Sequence, residues 1–323
     1  MASQAIDHPK SVILAFVFRR SLIGALLWGA IFGFIVATSA FGFEAAFNTP
    51  ASKAQAAALG ANAGLQALLG PPHSIETVAG FTAWRSVGIV ILFGAVWSIL
   101  LATKNFRGEE EAGRWELLLS GQTTTRRAVF QTFLGLGFSL GAMFLVVAGI
   151  SVIVGQSLNT KFNVPDAIFL ALSSVCAAGI FLAIGALISQ VVATRRQATT
   201  WTAAIFGICF VLRAVSGASS NMGWLGWFSP IKWIDELQPL TNPSPEWLVP
   251  IGALIVGLVL LTVYLANQRD LGSSLLHDHE SSRPHTTLLR NAFTTSLLLL
   301  KGNIIGWLIG VSLFSYLFGT VSL

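Results

Sequence analysis

The chain has 323 residues, of which 54% are hydrophobic and only 10% are charged, and its mean hydropathy is +0.73. A soluble domain carries about 25% charged residues, so this composition excludes an ordinary water-soluble fold and indicates a membrane protein. The net charge of +5 does not indicate a nucleic-acid-binding protein, because the basic residues lie at the ends of apolar runs and form no continuous stripe.

Long apolar runs without acidic or basic residues recur along the chain. Runs of about 20 such residues predict membrane-spanning helices, because in lipid the backbone groups must form their hydrogen bonds within the segment. The six predicted spans are about 21–43, 86–103, 128–154, 167–191, 201–215 and 247–266, and a further apolar run covers about 297–321. The sequence therefore predicts an all-α membrane protein.

The distribution of basic residues predicts the orientation of these spans. With the N-terminus in the cytoplasm, 14 Lys and Arg residues lie on the cytoplasmic side and 5 lie on the other side. Short cytoplasmic loops of membrane proteins carry such an excess, which favours a multi-pass protein of the bacterial plasma membrane with a cytoplasmic N-terminus. The segment 104–127 is then cytoplasmic. The loop 216–246, which holds four of the 11 prolines, is outside and is predicted to form short interfacial or re-entrant helices.

The cytoplasmic segment 104–127, KNFRGEEEAGRWELLLSGQTTTRR, is the most charged part of the chain. It predicts a short amphipathic helix over about 107–121, with an exposed ion pair between Glu110 and Arg114 and a helix end at Gly121. Four apolar residues share one face of this helix, namely Ala112, Trp115, Leu118 and Leu119. An alternative is a solvated surface helix that only anchors a loop.

Four motifs together resemble a known family. They are GFTAW at 80–84, EEEAGRWELLLSG at 109–121, WFSPIKW at 227–233 and RDLGSSLL at 269–276. In these motifs and their spacing the chain resembles the permease subunits of ABC exporters, and among them the permeases that export polyketide antibiotics. Ile231-Lys232 departs from the Leu-Gly or Ile-Gly expected before the tryptophan, and the second half of a full permease is absent.

This resemblance implies a partner and a task. The cytoplasmic helix is expected to dock on a separate ATP-binding subunit, and the cargo is expected to be an amphipathic or antibiotic-like compound. The expected docking residues are Glu109, Glu110, Glu111, Gly113, Arg114, Trp115, Glu116, Leu118 and Leu119. None of the six lysines lies in a GxxxxGK[ST] motif, so this chain is expected to bind no cofactor and to hydrolyse no ATP, leaving ATP and Mg²⁺ to the partner.

The last apolar run is similar to the first, because Leu22–Thr38 aligns with Ile304–Thr320 and Arg19 falls opposite Lys301. Repeats of this kind are common in membrane transporters. We therefore expect residues 1–285 to form one six-span unit, the N-terminal half of a two-repeat permease. Residues 286–323 then begin an incomplete second repeat, completed by another permease half or by a second copy of the chain. The alternative is a simple seventh helix.

A second candidate site lies near the outer ends of the spans. Arg213 lies near the outer end of the fifth span, and with Trp227, Pro230 and Trp233 it forms a candidate gate or substrate contact. The alternative is that the Arg213 side chain extends to lipid headgroups.

Other functions are less favoured by the residues. An ion-coupled secondary transporter usually carries Asp, Glu or His inside a span, and the sequence holds none well within an apolar run. A metal enzyme would need ligands such as His277, Asp278 and His279, but these lie in a Ser-rich linker, so no metal site is predicted. A membrane scaffold without transport activity remains a further alternative.

Overall fold

The computed structural model describes residues 12–119, 124–159, 161–218 and 220–268, and a few positions between 296 and 315. These residues form helices and loops and contain no strand, which confirms the predicted all-α fold. The helices are α1 (Val12–Ala46), α2 (Pro50–Ala61), α3 (Ala63–Leu69), α4 (Val78–Thr103), α5 (Glu109–Glu111), α6 (Arg114–Leu119), α7 (Thr125–Ser157), α8 (Val164–Val191), α9 (Arg195–Ala218), α10 (Pro230–Asp235) and α11 (Leu248–Gln268).

Within the described residues, six helical stretches are long and apolar enough to cross a membrane, and each contains one of the six predicted spans. They are Val12–Ala46, Val78–Glu111, Thr125–Ser157, Val164–Val191, Arg195–Gly217 and Pro245–Gln268. The helices exceed the predicted spans, most clearly α1, whose 35 residues extend about 52 Å against a hydrocarbon core of about 30 Å. Charged residues that were read as span ends are therefore helical.

The last apolar run and the linker with His277, Asp278 and His279 lie almost entirely outside the described residues. The division of the chain into a six-span unit and an incomplete second repeat therefore stays a prediction.

Helices α1 and α7 run in the same direction and pack along their length. An added Cβ at Gly33 would lie 2.4 Å from the Ile150 Cδ1, and the hydroxyl oxygens of Ser21 and Ser139 are 2.8 Å apart. Small residues let two helices approach closely in lipid, where apolar surface alone does not drive association. Helix α8 is the central element, since it contacts α4, α7, α9 and α11.

The loops gather into two ends of this bundle. At the end predicted to be cytoplasmic, π-helical residues Lys104–Gly108 connect α4 to α5, α6 follows, and the α8–α9 turn lies against the π-helical residues and α5. At the opposite end lie α2, α3 and α10, together with 3-10 helices at Ser220–Phe228 and Pro245–Trp247. The loop predicted to lie outside thus forms short helices, as its prolines and aromatic residues predicted, and we call this end the outer end after that predicted orientation.

Candidate functional site

The segment predicted as one helix over 107–121 consists of two helical pieces. Helix α4 continues through the π-helical residues into α5, and the chain then turns at Gly113, whose φ is +69°. Glycine adopts this left-handed conformation readily because it has no Cβ. The first helix end is therefore at Gly113, and Gly121 lies outside the described residues.

Glu109 joins three elements at the end that is predicted to be cytoplasmic. Its Oε1 accepts a hydrogen bond of 2.6 Å from Nη1 of Arg20 in α1, and both carboxylate oxygens accept hydrogen bonds from Arg114 in α6. Hydrogen bonding to Glu109 raises the pKa of Arg114 above its ordinary value. Only 7% of the Glu109 side chain is exposed, so this carboxylate links α5 to α1 and α6 within the protein.

Glu110 has a different partner from the one predicted. Its carboxylate accepts a hydrogen bond of 3.2 Å from Nη1 of Arg107, and its side chain is 7% exposed. The predicted exposed pair between Glu110 and Arg114 is therefore wrong. The turn at Gly113 removes Arg114 from the i+4 position of a continuous helix, and Arg114 bonds Glu109 instead.

Arg107 also attaches the α8–α9 turn to this segment. The Arg107 Nε donates a hydrogen bond of 2.7 Å to the carbonyl oxygen of Ala193, and the exposed Glu111 accepts a hydrogen bond from the backbone N–H of Arg195. Four parts of the chain, α1, α5, α6 and the α8–α9 turn, are thus joined by charged side chains. We call these bonds the cytoplasmic junction, formed by Arg20, Arg107, Glu109, Glu110, Glu111 and Arg114 with the backbone of Ala193 and Arg195.

Trp115 faces the interior of the protein. It is 6% exposed and belongs to an apolar cluster that includes Val17 of α1, Phe106 and Val129 of α7. Ala112 was predicted on the same face, but it is exposed, because the turn at Gly113 separates it from α6. The side chains of the predicted Leu118 and Leu119 lie outside the described part of the chain.

A buried ion pair lies at the opposite end of the bundle. The Arg213 Nε and Nη2 donate hydrogen bonds of 2.7 and 2.8 Å to the two carboxylate oxygens of Asp235 in α10. The two side chains are 1% and 6% exposed. Nη1 donates a third bond, of 3.2 Å, to the carbonyl oxygen of Leu68. The structure therefore does not show the alternative in which Arg213 extends to lipid headgroups.

Because Gly70 has no side chain, its backbone lies directly against the Arg213–Asp235 pair. Its φ is +94°, and an added Cβ would lie 2.2 Å from Nη2 of Arg213. Its carbonyl oxygen accepts a hydrogen bond of 2.7 Å from the buried Nε1 of Trp84, which belongs to the GFTAW motif. The outer pair is thus surrounded by α3, α4, α9 and α10. A small pocket opens beside it, with Asp235, Trp84 and Gln238 among its lining residues.

The comparisons with known proteins give the family. Residues 14–267, which include all but the first residues of α1 and the last of α11, match the family model described as "Multidrug efflux system permease Rv1217c, C-terminal domain". The chain belongs to this family.

A curated relative agrees with this assignment. The chain is 26% identical over 321 residues to the multidrug efflux system permease protein Rv1217c of Mycobacterium tuberculosis (strain ATCC 25618 / H37Rv). The match covers 96% of this chain and 55% of the relative, so the chain spans about half of the relative's length. The predicted permease class is confirmed, whereas the polyketide-antibiotic type stays a prediction.

With six apolar helices, this permease-family chain is a multi-pass membrane protein. Its orientation in the membrane stays a prediction.

The predicted docking residues divide into two groups. Glu109, Glu110 and Trp115 point inward and bond or pack within the chain, whereas Glu111, Arg114 and Glu116 are exposed. Gly113 is partly exposed between them.

The residues predicted as a gate or substrate contact at the outer end also divide into buried and exposed side chains. Pro230 is buried at the start of α10, the helix that carries Asp235, while Trp227 is 62% exposed. Trp233 donates a hydrogen bond of 3.1 Å from its Nε1 to the carbonyl oxygen of Trp227. Sequence reasoning missed Asp235. The available signal was an arginine inside an apolar span, which needs an acidic partner, and Asp235 lies 22 positions after it in the following loop.

Proposed function

We propose that this chain is a membrane-spanning subunit of an ATP-driven exporter and that α5 and α6 receive force from a separate ATP-binding subunit. Membership of a multidrug efflux permease family supports the transport role. The sequence supports the separate ATPase, because none of its lysines lies in a phosphate-binding loop of the P-loop type.

The observation that carries this proposal is the cytoplasmic junction. Glu109 bonds α1 and α6, and Arg107 bonds the α8–α9 turn. Helix α4 enters the junction as one helical stretch, Val78–Glu111. A displacement of α5 and α6 by a partner is therefore transmitted to α1 and α9 through hydrogen bonds of Glu109 and Glu111 and to α4 along the continuous helix, which is what a coupling element needs to do.

The proposal includes the remaining parts of the exporter. ATP binding closes the ATP-binding subunits, α6 moves with them, and the spans open toward the outside in an alternating-access cycle. A second permease half or a second copy of the chain completes the pathway within the lipid. The cargo is an amphipathic, drug-like compound, since the relative is named for multidrug efflux. The N-terminus then lies in the cytoplasm of a bacterial cell.

Copurification with a steric variant tests the docking. Ala112 is exposed between α5 and α6, so Ala112→Trp adds a large ring there without removing any bond of the junction. The tagged full chain is isolated from its native bacterium, and the captured ATP-binding subunit and ATP-dependent efflux are measured. We expect Ala112→Trp to lose both.

The matched control is Ala51→Trp, the same change at an exposed alanine of the outer helix α2, which is expected to keep both. Normal capture and efflux by Ala112→Trp would contradict docking on α5 and α6. Efflux by wild type that needs an ion gradient and no ATP would instead identify a secondary transporter.

A further inference from the structure

An aromatic cluster lies between α1 and α4, apart from the cytoplasmic junction and from the outer ion pair. The ring centroid of Trp28 is 6.3 Å from that of Phe93, with the two ring planes 28° apart, and 6.5 Å from that of Trp97. Phe93 is 51% exposed, and both tryptophans are partly exposed. The cluster therefore presents ring surfaces on the outside of the bundle.

The two tryptophans lie at one level within the predicted hydrocarbon core. Trp28 follows the start of the predicted span 21–43 by seven residues, and Trp97 precedes the end of the predicted span 86–103 by six residues. At a rise of about 1.5 Å per residue, both lie about 10 Å inside the boundary. This boundary is the one predicted to be cytoplasmic, so the cluster lies in the half of the bilayer from which an exporter takes up a lipid-soluble cargo.

Gly24 opens a shallow groove beside the cluster. An added Cβ at Gly24 would have the Trp97 Nε1 as its nearest neighbour, at 3.8 Å, and Gly24 is partly exposed. At Gly29 and Gly33 of the same helix, an added Cβ would lie 3.1 and 2.4 Å from atoms of α7. Those two glycines allow close helix contact, whereas the missing side chain at Gly24 leaves the edge of Trp97 accessible from the lipid.

The two indoles carry hydrogen-bond donors that the described residues do not satisfy. Within this part of the chain, the indole N–H groups of Trp84 and Trp233 donate hydrogen bonds, whereas those of Trp28 and Trp97 have no acceptor. Lipid acyl chains offer no acceptor at this depth either, and an indole N–H normally has a partner when water is excluded. A molecule with oxygen atoms near its apolar body fits these donors.

A lysine lies below the rings on the same face of α4. Phe93, Trp97, Leu100 and Lys104 are separated by three or four residues, the spacing of one helix face. Lys104 is exposed, and its side chain forms no ion pair with any residue that the structure describes. The face thus combines a cation at the membrane surface with aromatic rings about 10 Å deeper, which complements an anionic amphiphile.

We propose that this α1–α4 face binds the cargo and that the cargo is an acidic amphiphile. Its anionic group pairs with Lys104, and its planar body lies on Phe93 with oxygen atoms that accept bonds from the two indoles. This inference rests on the proposed function and narrows its cargo. A phospholipid matches only Lys104, because acyl chains do not stack on rings. A helix of another chain is a poorer match, because its backbone oxygens are already bonded within the helix.

A dansyl-labelled undecanoic acid is the probe that tests the charge. It joins a carboxylate through an apolar chain to a planar ring with sulfonyl oxygens, and its methyl ester is the matched neutral probe. The full-length chain in nanodiscs of zwitterionic lipid, without ATP, is titrated against empty nanodiscs by dansyl emission. We expect wild type to bind the acid about twofold to fivefold more tightly than the ester. Lys104→Gln should abolish this preference, and Lys53→Gln, at an exposed lysine of α2, should keep it.

Two further variants test the rings and the groove. We expect Phe93→Ala to weaken binding of both probes by about threefold to tenfold, and Gly24→Leu to weaken it at least as much by filling the groove. Phe138→Ala is the matched control, because Phe138 of α7 is 57% exposed and its ring also lies 6.3 Å from one neighbour, Phe18. Gly42→Leu changes an exposed glycine of α1 that has no neighbour within 4 Å. Both controls should bind as wild type does.

Thermal unfolding establishes that each variant folds, and if Gly24→Leu does not, the half-exposed Phe93 carries the test. Unchanged binding by Phe93→Ala, or equal losses in Phe138→Ala, overturns the inference. Displacement of the acid by phosphatidylglycerol with no effect of Phe93→Ala identifies lipid as the ligand and also overturns it. So does a changed oligomeric state of Gly24→Leu with unchanged probe binding, which identifies a protein contact.

The binding measurement is independent of ATP, so the two proposals fail separately. Loss of the inference by any of these results leaves the ATP-driven exporter in place. Wild type that binds the acid through Phe93 but shows no ATP-dependent efflux overturns the proposed function, and the α1–α4 face is then a binding site without a role in export.

Discussion

The two ends of the bundle use arginine–carboxylate pairs in different environments. At the cytoplasmic junction, Glu109 is shared by Arg20 and Arg114, whose side chains are 34% and 49% exposed. At the outer end, Arg213 and Asp235 are 1% and 6% exposed and have each other as partners in a two-bond contact. Water screens the first set and is excluded from the second, so the same chemistry has different consequences at the two ends.

This difference indicates which end is easy to rearrange. A partly solvated ion pair contributes about 1 kcal/mol or less, because water replaces the lost bonds. A buried pair that loses one partner leaves an uncompensated charge, which costs about 3–5 kcal/mol. The outer end is therefore expected to be a fixed point of the fold, as is the Arg107–Glu110 pair, whose side chains are 4% and 7% exposed. The bonds of Glu109 at the cytoplasmic junction are able to exchange during a transport cycle.

The largest effect is expected for Asp235→Ala. This change removes two of the three oxygen atoms that accept hydrogen bonds from the buried Arg213 guanidinium and leaves the Leu68 carbonyl oxygen. We expect it to lower the free energy of unfolding by about 3–5 kcal/mol. Thermal and denaturant unfolding of the purified protein in detergent measure this loss.

The double variant Arg213→Leu/Asp235→Leu is the control for this prediction. Replacing a buried ion pair by apolar residues of similar size is often neutral, so much of the stability is expected to return. An Asp235→Ala variant as stable as wild type would mean that water reaches the Arg213–Asp235 pair. The two ends of the bundle would then not differ in the solvation of their ion pairs.

The sequence predicted the six spans because about 20 uncharged apolar residues have few other stable states in lipid. It did not predict where the helices end. Arg19 and Arg20 were read as the boundary of the first span, yet α1 begins at Val12. The bond from Arg20 to Glu109 joins residues 89 positions apart, and hydropathy along the chain contains no information about such a contact.

The candidate site was predictable in its location but not in its orientation. Periodicity placed Trp115 on an apolar face, and the structure buries it. The partners of Glu109 and Glu110 depend on the left-handed turn at Gly113, which a glycine permits but does not require. The Arg213–Asp235 pair likewise depends on how the outer loop folds back onto α9.

An intermediate effect is expected for Trp84→Phe. The Trp84 Nε1 donates a buried hydrogen bond to the carbonyl oxygen of Gly70, next to Arg213. Phenylalanine leaves this acceptor without its partner, which costs about 1–3 kcal/mol. The matched control is Trp233→Phe, which removes a similar bond to the Trp227 carbonyl oxygen at an exposed position. We expect the free energy of unfolding of the control to lie within about 0.5 kcal/mol of the wild-type value. Equal losses would show that burial does not set the energies at the outer end.

The smallest effect on stability is expected for Glu109→Gln, because both of its arginine partners reach water. The amide keeps the shape and one acceptor oxygen, so the free energy of unfolding should fall by about 1 kcal/mol or less. Transport should respond more strongly. The variant is expected to capture the ATP-binding subunit normally and to lose ATP-dependent efflux, because α6 no longer holds α1 through a shared charge.

Glu116→Gln is the matched control for this last change, since Glu116 is an exposed acid on α6 itself, and it is expected to change efflux less than Glu109→Gln does. Reconstituted vesicles with ATP separate the two measurements, binding and transport. A Glu109→Gln variant that loses stability as severely as Asp235→Ala would show that the junction is a fixed structural contact. Unchanged efflux would show that force reaches α1 by another route, and the cytoplasmic junction would then be no more than a surface ion cluster. Normal binding with lost efflux is the one result that requires Glu109 to connect the docking segment to the spans.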